Sequence, residues 1–119
     1  MKADNQILII TKAFALRVIK LYMYLKDEKK EFVMSKQLLR CGTSIGANAR
    51  ESVNAQSKAD FVHKMNIALK EADETQYWME LLHESGFLND LEFESLNDDL
   101  GKILGTLTKI IKSSKSNGL

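Results

Sequence analysis

The chain has 119 residues, 45% of them hydrophobic and 28% charged, which suits one domain with a modest core and excludes a disordered chain. It has no proline and a single cysteine, Cys41, so a turn-rich all-β domain is disfavoured and an internal disulfide is excluded. Net charge is only +1, yet residues 1–58 hold eleven Lys/Arg against five Asp/Glu and residues 59–119 hold six against eleven, so one basic face can coexist with near neutrality.

The N-terminal apolar run ILII is too short to span a bilayer and follows Asp4, so it reads as neither an anchor nor a signal peptide. With one cysteine and no such signal, the expected location is the reducing cytoplasm.

The first helix is expected over about 4–26, with Ile7, Phe14, Val18, Leu21 and Leu25 on one seam and Thr11 filling a slot. The charged turn KDEKKE ends it. The second is expected over about 36–54, with Ser35 as its N-cap. The third, about 58–85, opens on Ser57 with Asp60 three residues on and stops at Gly86, a natural left-handed terminator. The fourth, about 90–113, opens near Asn89 with Glu92 at the third position, and Lys109, Lys112 and Lys115 suit its C-terminal dipole.

Helices three and four have the cleanest period. Phe61, Met65, Ala68, Ala72, Thr75, Met79 and Leu82 alternate steps of four and three, as do Phe93, Leu96, Leu100, Ile103, Leu107 and Ile110. A sustained 3.5-residue repeat is a bundle seam, and short loops make successive helices antiparallel neighbours. The expectation is all-α: one antiparallel up-down-up-down four-helix bundle over residues 1–119. Ile10, Leu16, Ile19 and Met23 lie off the first seam, Ile67, Trp78 and Leu81 off the third, and Leu104 and Ile111 off the fourth. They either widen the core stripe or form a subunit interface.

The stretch RCGTSIGANARES, residues 40–52, has two glycines separated by three residues. A phosphate loop needs four residues between its glycines, then Lys and Ser/Thr, and a preceding strand. None of that is present, so the segment reads as helix. Leu38, Cys41, Gly42, Ile45, Asn48, Ala49 and Ser52 then share a packing side, where small residues allow close helix approach. Lys36, Arg40, Thr43, Ala47, Arg50 and Asn54 line the opposite side. This basic stripe, interleaved with small residues, leaves room for a phosphate backbone. The plainer alternatives are a solvated face or arginines paired with carboxylates of a neighbouring chain.

The run SIGANARES and the following FVHKMNIALKEADETQYWMELLHESGFL resemble the four-helix-bundle family of 23S rRNA intervening-sequence proteins. Ser44, Ile45, Asn48 and Glu51 match its first block, Ile67, Ala68, Glu71 and Glu74 its second, and Gly86-Phe87-Leu88 its third with Phe for Tyr. Ala49-Arg50 and Ser52 depart from it. The likeness covers about residues 10–112. The chain is also similar to the accessory variability proteins of diversity-generating retroelements. The resemblance implies a bacterial antiparallel subunit that assembles into a ring, a pentamer, and raises the expectation of nucleic-acid binding; the family has no settled biochemical activity to carry over.

Glu71 and Glu74 sit one turn apart, Glu51 lies on the second helix and Arg17 interrupts the first. With Asn48 they are read as a structural polar network rather than a carboxylate site. Glu80-x-x-His83 has di-iron spacing, but its only counterpart, Asp60-x-x-His63, lies on the same helix about 30 Å away. Arg50 and His63 are too far apart in sequence for a helical-bundle ribonuclease pair, Cys41 has no neighbouring histidine, and Trp78 and Tyr77 suit an interface better than a base stack. No cofactor, metal or small-molecule substrate is expected. The reading is a non-enzymatic homo-oligomer that binds RNA or a ribonucleoprotein partner through Lys12, Lys20, Lys36, Arg40 and Arg50. The alternative is a protein-interaction adaptor with no nucleic-acid role.

Overall fold

The structure, a computed structural model, describes residues 2–116, with side chains described from Gln6 to Lys115. Four helices follow in order: α1 (Lys2–Asp27), α2 (Met34–Val53), α3 (Lys58–Glu84) and α4 (Asp90–Ser116). Each packs on the next and α4 closes loosely on α1, while among the described residues the diagonal pairs bring no Cα atoms within 8 Å of each other, so the helices stand at the corners of a square.

Paired residues give the direction of each helix. Gly42 and Gly46 of α2 meet Val18 and Thr11 of α1; Arg40 and Glu51 of α2 meet Glu74 and Lys64 of α3. Gln76 and His83 of α3 meet Asn97 and Asp90 of α4, and Tyr24 and Ile10 of α1 share clefts with Glu92 and Lys102 of α4. In every pair one number rises as the other falls. All four contacts are antiparallel, as the short loops predict.

The predicted seams form the core. Ile7, Phe14, Val18 and Leu25 of α1, and Leu38, Cys41, Ile45 and Ala49 of α2, are buried. So are Met65 through Leu82 of the α3 seam and Leu96 through Ile110 of the α4 seam, with Phe61 and Phe93 half-buried at the ends. Thr11 is buried as well, its hydroxyl donating to the Ile7 carbonyl at 2.6 Å. Of the off-seam residues, Ile111 is buried and Ile10, Ile67, Trp78, Leu81 and Leu104 are half-buried, so they widen the stripe; Leu16, Ile19 and Met23 are exposed.

Three of the four predicted helix signals hold. Ser57 accepts from the Asp60 N–H at 3.1 Å. Gly86 has φ +90°, and the Gly86 and Phe87 N–H groups bond back to His83 and Leu82 in the Schellman pattern. Asn89 and Glu92 form a reciprocal capping box. The fourth, Ser35 as N-cap of α2, is corrected: the helix begins at Met34, and Ser35 lies inside its first turn. The Glu31 side chain folds back and accepts from the N–H groups of Val33, Met34 and Ser35 at 3.1, 3.0 and 2.7 Å. A carboxylate satisfies three orphan donors and complements the helix dipole, which one hydroxyl could not do.

Candidate nucleic-acid interface

The glycines of α2 set how closely α1 approaches. A β-carbon on Gly42 would come 2.9 Å from Val18 Cγ1, and one on Gly46 would come 3.2 Å from Thr11 Oγ1. Above this contact the small residues Ala15, Thr43, Gly46 and Ala47 leave a groove of about 450 Å³ between the two helices. Lys12 of α1 and Arg50 of α2 line it from opposite sides, with Leu8, Thr11 and Glu51 completing the walls. The Glu51 carboxylate is engaged elsewhere, 2.9 Å from Lys64 Nζ on α3, and that contact pushes the Lys64 ammonium pKa up. Lys12 and Arg50 make no ion pair among the described residues.

The five expected basic residues do not act alike. A heptad stripe drifts on a 3.6-residue helix, so its members lean to different neighbours. Arg50 leans towards α1. Arg40 leans towards α3, where its guanidinium pairs with Glu74 and lies 3.4 Å from Glu71. Glu74 also accepts from Trp78 Nε1 at 3.3 Å. Lys36 is exposed at the start of α2, about 21 Å along the helix from Arg50. Lys20 lies on the other flank of α1, in a cleft with Arg17, Tyr24 and Glu92.

The expected polar network is likewise divided. Arg40 with Glu71 and Glu74 is one unit, and Glu51 with Lys64 a second. Arg17 joins neither: its guanidinium reaches Asp99 at 2.6 Å and the Ser95 hydroxyl at 3.0 Å on α4. Asn48 turns back to its own helix, donating to the Ser44 carbonyl at 2.9 Å. The partners Lys64 and Asp99 carried no periodic signal in the sequence, because a surface charge is matched only once the helix pairing is known.

The remaining reactive side chains have other settings. The Cys41 thiol is buried, which pushes its pKa up, and it donates to the Leu38 carbonyl. His83 stacks on Phe93 with ring centroids 4.2 Å apart and has Nε2 2.7 Å from Asp90 Oδ1. Among the described residues no group of three or more His, Cys, Asp and Glu is placed to hold a metal ion, and no helix is long and apolar enough to cross a membrane.

Among the solved structures, the chain is similar to a crystal structure of a protein with unknown function from the S23 ribosomal protein family of Bacteroides thetaiotaomicron. Identity is 53%, the match covers 92% of this chain and 98% of that one, and the TM-score is 0.91. Among curated proteins no match is found. The family described as 23S rRNA-intervening sequence protein matches residues 3–109, a span that holds the whole α1–α2 groove and nearly all of the four seams. On that match, and on a fold shared at 53% identity, the chain belongs to the 23S rRNA-intervening sequence protein family.

Proposed function

We propose that the protein is a non-enzymatic, homo-oligomeric helical bundle of the bacterial cytoplasm that binds RNA, alone or within a ribonucleoprotein, through its α1–α2 face. The observation that carries this reading is the convergence of Lys12 and Arg50, from two helices, on one groove walled by small residues. Two cations that make no ion pair among the described residues, above a surface that lets a chain approach closely, suit phosphate oxygens. Lys36 extends the same face towards the other end of the bundle. Such contacts read charge and shape rather than bases, so binding is sequence-tolerant and weakens with salt. The oligomer is a ring, for which the resemblance to the retroelement accessory proteins implies five copies.

Filter binding of single-stranded RNA at low salt tests this reading. Lys12→Glu and Arg50→Glu abolish retention while leaving the circular dichroism of the bundle intact. An unchanged titration curve for both variants refutes it.

The second reading, a docking adaptor without a nucleic-acid role, draws on the α2–α3 face. There Arg40 and Lys64 are neutralised by Glu74 and Glu51, giving a surface of mixed sign. Wild-type protein that retains no RNA at low salt favours the adaptor.

A further inference from the structure

The bundle separates its charge along its length rather than between the two halves of the chain. The antiparallel pairing brings residues 6–13 of α1, 44–70 of α2 and α3, and 102–115 of α4 to one end, where α2 and α4 finish. These residues hold nine Lys/Arg against two Asp/Glu, and one of the two, Glu51, is taken by Lys64. Residues 14–43 and 71–101, at the other end, hold seven against thirteen. The molecule is 49 Å long, and charges are screened beyond about 8 Å at physiological salt, so a ligand at one end responds chiefly to that end.

Two of the nine cations line a second groove. Lys102 and Lys109, about two turns apart on α4, share a cleft of about 260 Å³ with Gln6, Ile10, Gly105 and Thr106. A β-carbon on Gly105 would meet nothing within 4 Å, so the glycine keeps the cleft open, and no contact within the subunit offsets its poor helix propensity. Neither lysine makes an ion pair among the described residues. The α4 dipole does not account for them. Its effect fades within the last turn, and Lys109 and Lys102 stand about two and four turns before Ser116. Helix arithmetic sets Lys102 level with Lys12, and Lys109 level with Arg50, on the opposite flank of α1.

We propose that RNA is held at the basic end of the bundle, with Lys102 and Lys109 as phosphate contacts in addition to Lys12 and Arg50. This rests on the RNA reading above and fixes where on the molecule the strand lies. A polyanion gains from cations gathered at one end, and the carboxylates of the other end repel it. Lys36 stands in that acidic half, so it is a peripheral contact on the α1–α2 face.

Fluorescence anisotropy with a labelled single-stranded RNA at low salt tests the assignment on the full chain. The Lys102→Glu, Lys109→Glu double variant binds about a hundredfold more weakly, the value of two charge-assisted phosphate contacts, with circular dichroism and solution mass unchanged. The neutral pair Lys102→Gln, Lys109→Gln, gentler on the fold, weakens binding about tenfold, and Lys36→Glu weakens it by less than about threefold. Wild-type affinity in both double variants overturns the proposal, as does a loss for Lys36→Glu as large as theirs. A loss that comes with a change in solution mass assigns the two lysines to association and also overturns it. Polyglutamate that binds as tightly as RNA indicates an acidic protein partner and overturns it too. The RNA reading outlives a failed lysine assignment as long as Lys12→Glu and Arg50→Glu still abolish retention. Wild-type protein that binds no RNA removes the reading and the inference together.

Discussion

Gly42 of α2 lies so close beneath Val18 of α1 that a β-carbon there would stand 2.9 Å from Cγ1 and 3.0 Å from Cγ2 of the valine. Val18 is branched at Cβ and buried, so it has no rotamer in which to yield. Gly42→Ala therefore destabilises the bundle by about 1–3 kcal/mol, although alanine is the better helix former by about 1 kcal/mol. Gly101→Ala, where no atom is in the way, stabilises the dilute subunit by about 1 kcal/mol. Urea titration of both variants reads the opposite signs, and a gain in stability for Gly42→Ala contradicts the account.

Glu31 makes the start of α2 sensitive to acid. Burial, at 9% exposure, pushes its carboxyl pKa up, but the Ser35, Met34 and Val33 N–H groups outweigh this and hold it below the ordinary 4.5. A lowered folded-state pKa stabilises the fold at pH above the ordinary value, and that contribution is lost as pH falls through the lowered one. Glu31→Gln, which keeps the shape and loses the charge, costs about 1–2 kcal/mol at neutral pH and much less at pH 3. Denaturation midpoints at the two pH values measure the difference. An equal loss at both values is incompatible with the capping role.

Arg40 and Arg50 have the same side chain and opposite expectations. Arg40 is already paired with Glu74 and Glu71, at about half exposure, so Arg40→Ala costs under about 1 kcal/mol of stability. It also shifts the fluorescence of Trp78, whose indole shares Glu74. RNA affinity then changes little, because the lost guanidinium was neutralised. Arg50→Ala weakens RNA binding about tenfold, the value of one charge-assisted hydrogen bond of about 1.5 kcal/mol, with emission unaltered. Binding losses in the reverse order contradict the division of the basic stripe.

The bundle was legible because its determinants are local or periodic. The α3 and α4 seams, the Ser57 and Asn89 caps and the Gly86 terminator each follow from residues within a few positions of one another. Ser35 misled because a serine before an apolar run signals a cap, whereas Glu31 caps the earlier N–H groups of Val33, Met34 and Ser35 through a longer side chain that leaves no periodic trace. The basic stripe was visible as a row but not as two groups. Whether Arg40 meets Glu74, or Arg50 faces Lys12, depends on which helix stands on either side of α2.

The most direct test of the central claim, phosphate recognition by Lys12 and Arg50 across the α1–α2 groove, is the salt dependence of single-stranded RNA affinity. Each phosphate contact contributes about 0.7 to the slope of log K against log salt. The Lys12→Ala, Arg50→Ala double variant is expected to bind more weakly with a slope shallower by about 1.4 per subunit engaged. Parallel lines for the two proteins, at any affinity, would contradict it.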